Sequence, residues 1–219
     1  VIRESIARHA GDDYTCTVKI PVGEKAPPFT PRTTWDEGLR LADMVEEFGY
    51  DAVTPVHVSV FPDTTLTRGG VPRSLWKNPS MVRRFRTAAP QRRQRAVIRA
   101  GTYLGGRLSP FRPVWNRSRF SAVKARVSIP VMAVGGIRSA DEVAAILGAG
   151  EADLVGIGRP FYAEPALAAK ILKPGQGERV ACASSNLCVP AQMLGMKGTC
   201  YNPEVRRRAS DDRDREGTA

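Results

Sequence analysis

Between residues 64 and 140 the chain has no acidic side chain at all, while 17 Lys and Arg residues crowd the same stretch. Residues 1–63 carry 6 basic and 11 acidic side chains, and residues 141–219 carry 10 and 11. The formal net charge of +11 over 219 residues therefore belongs to one internal segment. That uneven placement argues against a protein that coats nucleic acid along its whole surface. Trp76, Phe85, Tyr103, Phe111 and Trp115 do interleave with the arginines. No recognised DNA- or RNA-binding motif accompanies them and the flanks are acidic, so no nucleic-acid partner is expected.

Long apolar runs are also missing. None approaches the ~18 residues of a membrane span, so no membrane partner is expected. Arg3, Glu4 and Arg8 interrupt the first ten residues, which do not read as a signal peptide. Four Cys are too few for a disulfide scaffold at this length, and a reduced, cytoplasmic setting is the expectation. No Met opens the chain, so a fragment or a processed form is expected. His9 falls on the first helix and His57 at a strand end, where it reads as structural or, alternatively, faces the mouth of a ligand site; no catalytic acid is assigned. No G-x-G-x-x-G follows a strand pattern near the end.

What is present alternates. Ile2, Ile6 and Ala10 stand at helical spacing before Gly11, and the β-branched run Thr15–Ile20 predicts a strand. Thr34 and Glu37 form a capping box for a helix whose apolar face is Trp35, Leu39, Ala42, Val45 and Phe48. Residues 51–58 predict a second strand, with Pro55 a mild objection. Residues 59–114 read as a long basic excursion, helical over 79–100 with a break near Pro90, and helical pattern resumes at Phe120–Val127. Pro130–Val134 and Asp153–Ile157 are strands separated by a helix that Ser139 and Glu142 open and whose buried face is Val143, Ile146 and Leu147. Pro165 suits the first turn of a helix running to Leu172. Strands alternating with helices imply a parallel sheet covered by helices. Four strands are too few for a complete eight-stranded barrel, although the length alone would allow one.

The last two strands each end in a glycine turn. Gly135 and Gly136 leave backbone N–H groups open to an anion, and the helix that follows adds its partial positive charge. Gly158 repeats the device, and Arg159 adds a forked cation suited to phosphate. Tight βα turns without a ligand are the plainer alternative.

The stretch IPVMAVGGIRSADEVAAILGAGEADLVGIGRPFYAEP resembles the last two βα units of the old yellow enzyme family of FMN-dependent oxidoreductases. TCTVKIP resembles that family's middle strand. CASSNLCVPAQMLGMKGTCYNP resembles the Cys-containing segment after the barrel in larger members similar to dienoyl-CoA reductase and trimethylamine dehydrogenase. The likeness covers most of residues 1–58 and 115–204.

The resemblance implies an α/β fold of the (β/α)8 TIM-barrel type, of which this chain is the second half, about four βα units. Residues 1–173 would be that half barrel, with 59–114 a basic loop insertion, 174–205 the post-barrel Cys segment and 206–219 a disordered charged tail. It also implies that Gly135, Gly136, Gly158 and Arg159 hold the FMN phosphate. Lys19 would lie by flavin N1 and the C2 carbonyl; a solvated strand-end lysine is the alternative. Arg138 would reach the phosphate or stay exposed. Cys182, Cys188 and Cys200 match the first, third and fourth ligand positions of the family's iron–sulfur motif, but Ser185 stands at the second, and Ser is a poor iron ligand. A relic segment without an iron–sulfur cluster is the plainer reading, and zinc on the same three Cys lacks a fourth ligand.

The implied activity is hydride transfer from NAD(P)H through FMN to an activated alkene or similar small-molecule acceptor. Arg83, Arg84, Arg86, Arg92, Arg93 and Arg95 would steer an anionic substrate. The implied partner is the missing N-terminal half barrel or a second copy of the chain. A phosphate-binding half barrel without redox chemistry, and an inactive fragment, are the alternatives.

Overall fold

A computed structural model describes residues 2–11, 13–26, 29–58, 67–172 and 180–208. Val1, Asp12, Pro27 and Pro28 of the first loop, residues 59–66 of the excursion, 173–179 and the tail from 209 lie outside them. In chain order the elements are α1 (Ile2–Ala10), β1 (Thr17–Pro21), α2 (Trp35–Glu47), β2 (Ala52–Val56), α3 (Ser74–Lys77), α4 (Pro79–Ala88) and α5 (Arg92–Leu108). They continue as α6 (Arg117–Lys124), β3 (Met132–Val134), α7 (Ala140–Gly148), β4 (Leu154–Gly156), α8 (Pro160–Ala163), α9 (Leu167–Leu172) and α10 (Val189–Met193). No helix among the described residues is long and apolar enough to cross a membrane.

The chain divides into two compact units. The first holds Val1–Phe61, Pro113–Ile137 and Asp141–Ile157, and with them all four strands. β1 pairs in parallel with β2, in register Thr17↔Ala52 through Pro21↔Val56, and β3 pairs in parallel with β4, in register Met132↔Leu154 through Val134↔Gly156. One parallel bridge, Val53↔Val131, joins the pairs. All four predicted strands are present, in the spatial order of their sequence, as two short parallel sheets in a mixed α/β unit.

Pro55 fits inside β2 because nothing asks it for a donor. The Val53 N–H, two residues earlier and on the same edge, donates to Pro130 O at 3.0 Å. The single bridge ends there, so the N–H that Pro55 lacks has no ladder partner to lose.

Alternation decides which face is covered. Val18, Ile20, Val22, Val53, Val131, Ala133 and Val155 turn to a core shared with Ala42 and Val45 of α2, Phe120 and Val123 of α6 and Ile146 of α7. The capping box that opens α2 is as predicted: Glu37 N–H donates to Thr34 Oγ1 at 3.3 Å, and Thr34 N–H donates to Glu37 Oε2 at 2.8 Å. The buried stripe of α2 differs from the predicted face. It runs Gly38, Ala42 and Val45, while Trp35 and Phe48 are exposed. Gly38 sets this rotation, because its missing Cβ would lie 2.6 Å from Val22 Cα and 2.7 Å from Pro21 O. On α7, Ile146 is buried as expected but Leu147 is 42% exposed.

The second unit holds Pro62–Arg112, Arg138–Ala140 and Gly158–Ala219. The predicted helix over 79–100 is two helices, α4 and α5, broken at Ala89-Pro90. Arg95 bridges the break by donating to Ala89 O at 2.8 Å and Pro90 O at 2.6 Å, carbonyls a continuous helix would have used itself. Leu75, Met81, Ala89 and Leu167 are buried in this unit. Pro165 precedes α9 instead of sitting in its first turn, and Pro160 takes the first position of α8.

Candidate functional site

The turn after β3 lies in the first unit. Gly135 has φ +110 and Gly136 φ +89, a region L side chains avoid. A Cβ on Gly135 would also fall 2.7 Å from Asn116 Cβ and 3.1 Å from the Trp115 ring. The glycine turn and the segment before α6 are thus packed on each other, and Val114 N–H donates to Gly136 O at 3.3 Å. Trp115 meets the ring of His57 at 6.3 Å, tilted by 59°. His57 is buried one residue beyond β2. Asn116, fully buried, donates from Nδ2 to Pro55 O at 2.9 Å. A small patch of side chains therefore ties the C-terminal ends of β2 and β3 together, the end at which parallel α/β folds place their ligands.

Lys19 is exposed on β1, in register with the buried Thr54. Its neighbours Val18 and Ile20 turn to the helix-covered core, so Lys19 stands on the opposite face of the sheet.

Gly158 and Arg159 belong to the second unit. Gly158 has no positive φ, and a Cβ added to it meets nothing within 4 Å. Among the described residues, neither the backbone nor the packing asks for glycine there. The guanidinium of Arg159 is held by Asn186 Oδ1. Burial lowers the pKa of Arg159, and the neighbouring Cys182 and Cys188 oppose that shift. Arg138 lies over the Phe111 ring at 3.6 Å and donates to Ser184 Oγ.

Arg159 shares the wall of a cavity of about 10 Å³, room for one water, with Tyr162, Cys182, Ser185, Cys188 and Cys200. Burial raises the pKa of Cys188 and of Cys200. Three thiols with hydroxyls and a guanidinium beside them do not match the four thiolates of a four-iron cluster. Among the described residues, no group of three or more His, Cys, Asp or Glu side chains is arranged to hold a metal ion.

The Cys segment is clasped by the start of the excursion. Gly70 N–H donates to Ser184 O at 2.8 Å, Asn186 Nδ2 donates to Gly70 O at 3.1 Å, and Ser74 Oγ donates to Leu187 O at 3.2 Å. Ser184 and Asn186 take positive φ values of 50° and 57° to make these bonds.

The basic run has two fates. Its later members close ion pairs within the first unit: Arg117 with Glu151 at 2.6 Å, Lys124 with Asp153 at 2.8 Å and Arg126 with Asp43 at 2.6 Å. Several earlier ones engage backbone or rings in the second unit, as Arg84 donates to Leu194 O at 3.0 Å and Arg99 lies 5.6 Å from the Trp76 ring centroid. Hydrogen bonds from Arg126 hold the Asp43 carboxyl low, and those from Arg117 do the same for Glu151. For Asp153 burial raises the pKa, but Lys124 and the Val131 N–H outweigh it. Carboxylates whose folded pKa is depressed add stability above their unfolded values and lose it as pH falls through the folded ones. Urea midpoints should stay level from neutrality to about pH 5 and fall below about pH 4. The Asp43→Asn/Glu151→Gln double variant should show a shallower fall; an unchanged slope contradicts these pairs as its source.

Parallel strands in sequential order, helices between them and a glycine turn after β3 define a mixed α/β protein. The chain belongs to the NADH:flavin oxidoreductase / NADH oxidase family, which it matches over residues 43–176. The family brings with it a TIM-barrel type of fold and, in general terms, FMN-dependent oxidoreductase chemistry with NADH as reductant. A stretch of 81 residues, 36% of the chain, is 36% identical to N,N-dimethylglycine/sarcosine dehydrogenase of Chromohalobacter salexigens. That stretch spans 12% of the length of the dehydrogenase.

Proposed function

We propose that this chain supplies the phosphate-holding part of an FMN site in an NADH-linked flavin oxidoreductase, on the second half of a (β/α)8 barrel. The observation that carries the reading is the family match over residues 43–176, which takes in both glycine turns, and Gly158 keeps open space beside its backbone among the described residues. It suits a position where a ligand comes up against the backbone. In this reading Gly135 and Gly136 offer backbone N–H groups to the phosphate, and Arg159 adds its charge. Lys19 holds a cation on the sheet face opposite the helix-covered core, toward the pyrimidine end of the ring. Bound FMN supplies the two-electron carrier between a nicotinamide donor and an acceptor such as an activated alkene. The substrate is a small anion drawn in by Arg83, Arg84, Arg86, Arg92, Arg93 and Arg95. The other half of the barrel comes from further polypeptide or from a second copy. The Cys segment serves as a clasp and carries no iron–sulfur cluster, because Ser185 replaces a thiolate.

The similarity to the bacterial dehydrogenase favours a second reading, in which an N-methylated amino acid gives up electrons. Anaerobic addition of NADH, and separately of N,N-dimethylglycine, distinguishes the two by which one bleaches the flavin spectrum.

The test is chemical analysis of anaerobically purified protein. About one FMN per chain, released by acid, with iron and sulfide at background, is expected. Protein that holds no FMN and takes up none contradicts the flavin reading. A stoichiometric iron–sulfur cluster contradicts the clasp reading of the Cys segment.

A further inference from the structure

Asn116 is a polar side chain for which the fold offers half of what it needs. It is 0% exposed, and its Oδ1 has no hydrogen-bond partner among the described residues. A buried acceptor left bare forfeits its hydration without compensation. The amide cannot turn round to relieve this. Its Nδ2 donates to Pro55 O at 2.9 Å, and reversal would set oxygen against oxygen. Asn116 also occupies the N-cap position of α6, where an Asn side chain normally accepts a backbone N–H of the first turn, yet it makes no such bond. The side chain is withheld from the ordinary task of its position and kept beneath the glycine turn, with its Cβ 2.7 Å from where a Gly135 Cβ would be.

We infer that Asn116 is a cofactor-facing residue whose Oδ1 accepts a hydrogen bond from a ribityl hydroxyl of bound FMN. This rests on the FMN reading above. The Gly135-Gly136 turn takes the phosphate in that reading, and a phosphate monoester, mostly the dianion at neutral pH, is a poor donor to Asn116. The part of FMN that adjoins the phosphate and does carry donors is the ribityl chain. The flavin ring lies at its far end.

The experiment measures the affinity of the protein and of its Asn116→Leu variant for FMN, riboflavin and lumiflavin, which lacks the ribityl chain. The variant should bind FMN and riboflavin about tenfold more weakly and lumiflavin unchanged, since one hydrogen bond is worth roughly that factor. Equal weakening for all three, or for none, overturns the inference while leaving the FMN reading standing. Wild-type protein that binds none of the three overturns the FMN reading, and the inference with it. Should the Leu variant fail to fold, the Asn116 side-chain amide resonances of the wild-type protein replace it. They should shift with FMN and riboflavin and stay in place with lumiflavin; the same response to all three overturns the assignment.

Discussion

Gly69→Ala should collapse the clasp of the second unit. Gly69 has φ +142, and a Cβ there would lie 2.1 Å from Ser184 O and 3.1 Å from Ser184 C. The clashing atoms are backbone, so no side-chain rotation relieves them. The displaced carbonyl is the one that accepts from Gly70 N–H, and its loss loosens the Asn186 bond to Gly70 O at 3.1 Å. Backbone strain and two broken hydrogen bonds together predict a loss of about 3 kcal/mol or more. For a chain of this length that is roughly a 6–12 °C fall in the melting of this unit. Gly148→Ala is the matched control, because a Cβ there meets nothing within 4 Å and no positive φ is involved. Differential scanning calorimetry should show the first variant melting early and the second unchanged. Equal melting of both contradicts the clasp.

Gly158→Ala separates fold from function in the opposite sense. The apo chain has open space for the new methyl and an ordinary backbone angle for it. Melting and circular dichroism should therefore match the wild type. If the phosphate sits against this backbone, the methyl displaces it from its N–H donors. A charge-assisted contact of that kind is worth about 1.5–3 kcal/mol, so FMN affinity should fall about 10- to 100-fold. A variant that keeps wild-type affinity removes Gly158 from the site. A variant that unfolds contradicts the reading of Gly158 as free of structural duty.

Much of the fold was legible because its signals are local. The capping box at Thr34 and Glu37, the break at Pro90 and the four short apolar strands each depend on a few neighbouring residues. The rotation of α2 was not legible, because it depends on Gly38 meeting the Val22 backbone across the sheet. The clasp escaped for the same reason. Asn186 and Gly70 lie 116 positions apart and Ser74 and Leu187 113, and their bonds run to backbone carbonyls that no motif records. The charge asymmetry was visible, but its meaning was not. Arg117, Lys124 and Arg126 answer acids on other elements of the first unit, which leaves the excess of charge on the helices of the excursion.

The glycine turns stood out in the sequence as a pattern, and the structure gives their members different physical reasons. Gly135 needs its positive φ and its closeness to Trp115, whereas Gly158 has neither need among the described residues. Asn116 was hidden because an Asn ahead of a helix reads as a cap. Only its bond to Pro55 O and its bare Oδ1 show that it is doing something else. Arg159 was read as a phosphate ligand, and its contact with Asn186 adds a second task, positioning the Cys segment.

The central claim is that this chain grips the phosphate of FMN. The measurement that tests it most directly is the ratio of riboflavin to FMN dissociation constants, by fluorescence quenching on the wild-type protein at fixed ionic strength. These ligands differ only in the phosphate. FMN should bind about 100-fold more tightly, the factor expected for two charge-assisted contacts. Equal affinities would contradict the claim, because they would leave the glycine turns and Arg159 with no phosphate to hold.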